Sequence, residues 1–244
     1  MTESRPWRLL MDVEGVVFDP LPAVVAALRR ALLRVGRPAP LGQDLDWVAS
    51  VPLGTTLATL VGHDGQCRAA FLGHLQHYYR SQSWRGLPAY PGIAEALRRL
   101  RHEAEAEIVL VSAHDMDTAW RQAVDQGLDD VFDSVVCPER GCCPECRQKL
   151  VIQLIRESSE SHRVAWLTDM PAELVQARRR GVMGIAAAWG RAPLRAIRGG
   201  EPTVLAERPE QLPDALTLPQ AWLDSLMAPW SPSKRAPAPV SPPR

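Results

Sequence analysis

The sequence predicts an α/β fold: a three-layer arrangement around a parallel sheet, with an all-helical insert after the first strand. Three observations carry that prediction. From about residue 87 onward, short β-branched apolar runs alternate with segments of helical period, the pattern of a parallel sheet joined by crossover helices. The first apolar run, Trp7–Val13, is followed instead by residues 20–86, which show helical tendency alone. A length of 244 residues suits one domain with an insertion, or two small domains, and buries a sizeable core either way.

Trp7–Val13 reads as a buried strand. After Pro20 the period changes, with Val24, Val25, Leu28, Ala31 and Leu32 at helical spacing. Helical tendency continues through Leu53–Val61 and Arg68–Tyr79. Tyr90-Pro91-Gly92 is a turn signal, and Ile93–Arg101 follows as an amphipathic helix with Ile93, Leu97 and Leu100 on one face. Ile108–Val111 is a strand ending at Ser112. Asp115–Gln126 is a helix stopped by Gly127, Val131–Val136 a short strand and Gln148–Arg156 a helix. Val164–Leu167 is a strand ending at Thr168-Asp169. Pro171–Arg180 is a helix with proline in its first turn and Gly181 just past its end. Val182–Ala188 and Pro202–Leu205 complete the strands. Residues 1–19 and 87–226 thus form the α/β core and residues 20–86 a helical module. Residues 227–244, rich in proline with almost nothing to bury, are expected to be a disordered tail.

Composition narrows the function classes. Apolar residues make up 46% and charged residues 23%, ordinary for a globular protein. Lys and Arg total 28 and Asp and Glu 28, so no net field favours nucleic acid or an anionic membrane. No apolar run has membrane-spanning length and the N-terminus lacks a signal-peptide pattern, so a cytoplasmic location is expected. Only two of the 28 basic residues are lysines, Lys149 and Lys234, which makes the position of Lys149 informative.

The chemistry gathers where strands end. Strand alternation puts Asp12 and Glu14 on one side, at the carboxyl end where open α/β sheets bind ligands. Two acids so close are costly unless a cation neutralises them or they share a reaction as nucleophile and acid/base. Ser112 closes a second strand and offers a hydroxyl to a phosphoryl oxygen. Asp169 closes another, with Glu173 one helical turn on. Lys149, read as the start of a helix, can reach a dianion as a compact point charge. Singly, each has an ordinary explanation: an acidic turn, a strand-end serine, a solvated lysine. The ordered set does not.

That set resembles the haloacid dehalogenase superfamily, particularly its phosphoglycolate-phosphatase-like branch, from about Arg8 to Leu216. Supporting segments are Tyr90-Pro91-Gly92-Ile93, Leu128-Asp129-Asp130-Val131-Phe132-Asp133, Asp169-Met-Pro-Ala-Glu173 with Ala177-Arg-Arg-Arg-Gly181-Val182, and Trp189-Gly190. The resemblance implies a Rossmann-like core with a helical cap and a Mg²⁺-dependent phosphomonoesterase acting on a small phosphorylated metabolite. Asp12 would be the nucleophile and Glu14 the acid/base. Asp12, the Glu14 carbonyl and Asp169 would hold Mg²⁺. Ser112 and Lys149 would grip the phosphoryl oxygens, and Glu173 would orient Lys149 or metal-bound water. Three positions depart from the usual pattern: Glu14 and Glu173 stand where Asp is common, and Thr168 where Gly is common. They leave a second reading, a weak or inactive relative that binds a phosphorylated metabolite or a protein partner. The absence of lysine from residues 20–86 argues against Schiff-base phosphonate chemistry, and Glu14 disfavours dehalogenation, whereas a sugar phosphomutase shares the acid pair and stays open. A monomer or homodimer is expected.

In the insert, the Thr55 hydroxyl is a candidate substrate contact together with that of Thr56, although a helix N-terminus would account for both equally. His63, His74 and His77 could meet there or simply be exposed. Cys137, Cys142, Cys143 and Cys146 fall within ten residues, leaving structural Zn²⁺, free thiols and a redox disulfide all open. Cys67 lies apart.

Overall fold

A computed structural model describes residues 5–40, 45, 47–48, 53–79, 86–112, 115–138 and 144–217. The proline-rich tail, Cys142 and Cys143 lie outside them. The chain divides into two compact units, Met1–Phe18 with Ala89–Arg244, and Asp19–Pro88.

The first unit is a six-stranded, wholly parallel sheet: β1 (Trp7–Asp12), β2 (Glu107–Val111), β3 (Ser134–Val136), β4 (Arg163–Thr168), β5 (Met183–Ala187) and β6 (Val204–Ala206), in the order β3-β2-β1-β4-β5-β6. Chain order reverses on either side of β1, so a crevice opens at its carboxyl end. All six expected strands are present. The third is shorter than its apolar run because Leu128–Val131 turns first, the Val131 N–H donating to the Leu128 carbonyl.

Crossover helices are α4 (Ile93–Ala104), α5 (Met116–Asp125), α6 (Pro144–Ser158), α7 (Pro171–Arg179) and α8 (Leu194–Gly199); α9 (Leu212–Leu216) follows β6, and α1 to α3 belong to the other unit. Helix α6 begins at Pro144, four residues before the expected Gln148, as proline is favoured at a first helical position. Helices α8 and α9 have no counterpart in the sequence pattern; both are under seven residues, too short to show a period.

One apolar layer positions the site. Leu10, Val109, Val111, Val164 and Trp166 on the sheet pack with Val151 and Ile155 of α6 and Ala177 of α7. Strand alternation puts Asp12 on the face of Leu10, and Thr168 on the face of Trp166. Four-residue helical spacing puts Arg147 in line with Val151 and Ile155, and Glu173 in line with Ala177. Asp12, Thr168, Arg147 and Glu173 therefore extend this layer past the end of the sheet.

The second unit contains α1 (Leu21–Arg34), α2 (Leu53–Val61) and α3 (Gly65–Tyr78). Phe71 packs with Leu28 and Leu32 of α1 and Leu57 and Val61 of α2. Asp64 caps α3, its carboxylate accepting from the Gln66 N–H at 3.0 Å, so that helix starts before the expected Arg68. Among the described residues no helix is long and apolar enough to cross a membrane.

Candidate active site

Asp12 ends β1 almost fully buried, with both carboxylate oxygens engaged. Oδ1 accepts from a guanidinium N–H of Arg147 at 2.5 Å, and Oδ2 lies 2.7 Å from the Thr168 hydroxyl. The other arm of the Arg147 fork donates to Glu173 Oε1, and Glu173 Oε2 lies 2.7 Å from the same hydroxyl. Arg147 and Thr168 thus tie the two acids together from opposite sides.

Thr168 has one proton to share. Its oxygen already accepts the Met170 N–H at 3.0 Å, and it faces two carboxylate oxygens at equal distance. It can donate to only one of them, so the other contact is a hydrogen bond only if that carboxyl carries a proton. Glu173 is that group. Burial first, and then the charge of Asp12, push its pKa up to about 8, against the pull of Arg147. Burial also works against the Arg147 charge, but Asp12 and Glu173 outweigh it and hold the guanidinium protonated beyond its ordinary value.

On the other side of the strand ends lies Asp169, wholly buried. Its Oδ2 accepts from the Arg191 backbone N–H at 2.9 Å and the Arg191 side chain at 3.2 Å. Gly15, with φ +82°, and Gly190 cradle it: a Cβ at either would overlap the Asp169 carboxylate group. The loop carrying Gly15 is pinned by the Trp189 indole N–H, which donates to the Val16 carbonyl at 3.0 Å, and by the Gly15 N–H, which donates to the Phe18 carbonyl at 2.9 Å.

Asp169 Oδ1 is buried without a hydrogen-bond partner. An orphaned carboxylate oxygen beside a bare loop suits a cation, because an unpaired buried charge is otherwise expensive. With Glu173 protonated, Asp12 and Asp169 are matched in charge by Arg147 and Arg191, and it is the orphaned Asp169 oxygen that suits a cation. Among the described residues no three His, Cys, Asp or Glu side chains form a ready-made metal cage. Asp12 and Asp169, with the Glu14 carbonyl, are the groups expected from the sequence to hold the ion.

The other expected residues fall in different places. Ser112 is fully buried one residue past Val111, the register partner of Asp12, and its N–H donates to the Val136 carbonyl at 3.0 Å. The Cys137 thiol hydrogen-bonds to Ser112, and burial pushes its pKa up to about 11, so it stays protonated. Glu14 is half-buried in the turn after β1 and bridges to Phe18. Thr55 is exposed and Thr56 buried, both in the first turn of α2. Cys146 is half-buried.

Lys149 does not join this cluster. It is exposed on α6, and two residues of helix rotate it about 200° away from Arg147. With α6 taken to begin at Gln148, Lys149 falls at the helix start. Beginning instead at Pro144, the helix turns Arg147 toward Asp12. The Pro-Glu pair at 144–145, a helix-start signature inside the cysteine-rich segment, is the signal that points to Arg147. Arg191 has no comparable signal.

Comparison with known proteins gives a consistent result. The family model for haloacid dehalogenase-like hydrolases matches residues 9–187. A search of curated protein sequences finds no significant match. Among solved structures, a protein from Clostridium difficile provisionally described as a phosphatase is similar at a TM-score of 0.72 and 17% identity, covering 88% of this chain and 100% of its own. A predicted phosphoglycolate phosphatase from Haemophilus somnus 129PT gives 0.61 and 14%, covering 87% and 97%. A haloacid dehalogenase superfamily hydrolase of subfamily IA from Geobacter sulfurreducens gives 0.60 and 21%, covering 88% and 98%. Identities this low establish the shared fold alone.

Proposed function

Because the chain belongs to the haloacid dehalogenase-like hydrolase family, we propose that it is a Mg²⁺-dependent phosphomonoester hydrolase acting on a small phosphorylated metabolite, with Asp12 as nucleophile. The observation that carries this reading is the state of Asp12: buried at the carboxyl end of the central strand, with Arg147 on one oxygen and Thr168 beside the other. A carboxylate held by hydrogen bonds to both oxygens is fixed in direction, as an attacking group must be.

In this mechanism an Asp12 oxygen attacks phosphorus, a P–O bond forms, and the ester oxygen leaves with a proton from Glu14. Glu14 then takes a proton from water, which attacks the aspartyl-phosphate, releases phosphate and restores Asp12. Ser112 and Arg147 bind the phosphoryl oxygens as charge shifts toward them, Arg147 taking the role expected of Lys149. Bound at Asp12, Asp169 and the Glu14 carbonyl, Mg²⁺ would neutralise charge on the phosphoryl group. Glu173 and Thr168 hold Arg147 and Asp12 in place. Structural zinc has no support among the described residues, and metal analysis of freshly reduced protein tests it directly.

The similarity to proteins described as phosphoglycolate phosphatases favours a short phosphorylated carboxylic acid as substrate. A panel of phosphate esters in Mg²⁺, scored by phosphate release, tests the class. Hydrolysis of p-nitrophenyl phosphate tests the chemistry: no turnover by the wild-type chain from acidic to alkaline pH would reject it, and turnover surviving Asp12→Asn would reject the nucleophile.

A further inference from the structure

A second charged feature lies at the opposite end of the layer formed by α6 and α7. Ile155, Arg156, Ser159 and Glu160, at and just beyond the end of α6, face Gln176, Arg179 and Arg180, at and just beyond the end of α7, across an open cleft of about 700 Å³. These segments lead directly into β4 and β5, so the cleft sits at the amino edge of the sheet, away from Asp12. Arg156 and Arg179 are exposed, and neither has an acidic partner among the described residues. By contrast Arg8, Arg98, Arg99, Arg101, Arg178 and Arg191 each pair with a carboxylate.

Arg180 is fixed rather than free. One guanidinium nitrogen donates to the Gln176 carbonyl at 3.1 Å and to its side-chain oxygen at 2.5 Å, both uncharged acceptors. Burial, then Arg156, then Arg179 lower its pKa, a sign that the three positive charges feel one another. Helix dipoles favour a basic residue in each last turn, but they give no reason for three to converge on one hollow. Three guanidiniums around one hollow set up a local positive potential that attracts an anion. Glu160, the one acid lining the cleft, is exposed, and the Arg5 guanidinium sits at the same turn, donating to the Ser159 carbonyl at 2.5 Å.

We infer that this cleft binds a small oligophosphate anion, with Arg156, Arg179 and Arg180 as its ligands, at a site separate from the strand-end acids. Its size exceeds what a single phosphate fills, and guanidinium forks match several phosphate oxygens at once. Tripolyphosphate is the probe, titrated calorimetrically into the full chain in EDTA at low ionic strength. The expected result is saturable binding that weakens with added salt, and weakens at least about tenfold in Arg156→Gln/Arg179→Gln/Arg180→Gln, three charge-assisted contacts being lost. That variant should keep the wild-type unfolding midpoint and p-nitrophenyl phosphate kinetics, whereas Arg147→Ala should keep the tripolyphosphate affinity. Absence of saturable binding to the wild-type chain would overturn the inference. So would full affinity in the triple variant, or loss in Arg147→Ala instead. Binding is read without turnover, so failure of the phosphatase reading would leave this test intact.

Discussion

The two ends of the α6–α7 layer solve opposite electrostatic problems. At the carboxyl edge of the sheet, acids are buried and outnumber their cations: Asp12, Glu173 and Asp169 share Arg147 and Arg191. At the amino edge, arginines gather with a single exposed acid beside them. Burial separates the two cases. The acids have lost their water, so every contact there is strong and a missing partner is expensive. The arginines keep theirs, so their mutual repulsion is screened and tolerable. One end can therefore host chemistry; the other can at most host binding.

The sharpest way to break this contrast is to neutralise the acid at its centre. Asp12→Asn keeps the shape and removes the proposed nucleophile, and p-nitrophenyl phosphate turnover should fall by roughly 10⁴-fold or more. The triple arginine variant at the far edge should leave turnover within about twofold, because screening confines its effect to the cleft. A large loss from that variant would mean that the two ends are coupled.

Next in size is the cation of the buried end. Arg147→Ala leaves Asp12 and Glu173 facing each other with only Thr168 between them, and kcat/KM should drop by roughly 10² to 10³. Arg147→Lys keeps the charge but loses the fork that reaches both acids, and should recover only part of the rate. Lys149→Ala should change kcat/KM by less than about twofold, as expected for an exposed side chain. If Lys149→Ala were the damaging substitution, α6 would have to be turned so that Lys149, and not Arg147, faces the acids.

That pair of variants also marks how far the sequence could be read. The sheet was legible because buried parallel strands are short β-branched runs, and Ile108–Val111 or Val164–Leu167 can be little else. Asp12, Ser112 and Asp169 were legible because strand ends sit next to those runs. Arg147 was not, because a helical residue's direction depends on where the helix begins. The start at Pro144 was obscured by the cysteines around it. The second role of Thr168 was hidden as well: as a sequence feature it is a bulkier residue where glycine is common. Only the fold shows its hydroxyl placed between two acids.

Thr168 supplies a smaller but sharper test. Thr168→Val keeps the β-branched shape and deletes the hydroxyl, leaving two buried carboxyl oxygens without their shared partner. A lost hydrogen bond to a charged group predicts about a tenfold to hundredfold fall in kcat. Thr168→Ser should restore most of it. If Val and Ser behave alike, the hydroxyl is not what holds Asp12.

The smallest effect concerns the proton on Glu173, and it shows in stability rather than rate. The ordinary glutamate value is 4.5, and burial with the Asp12 charge raises Glu173 to about 8. Between those values the unfolded chain has released a proton that the folded protein keeps, so stability falls as pH rises. The loss begins as pH passes 4.5 and levels off above about 8. Glu173→Gln has no such proton to lose. In EDTA, urea midpoints measured near pH 5 and near pH 8 should therefore differ more for the wild-type chain than for Glu173→Gln. Mg²⁺ should shrink the wild-type difference, since a cation beside Asp12 lowers the cost of ionising Glu173. Equal pH dependence in the two proteins would mean that Glu173 is already ionised, with Arg147 alone balancing both acids. The proton argued from the single Thr168 hydroxyl would then be absent.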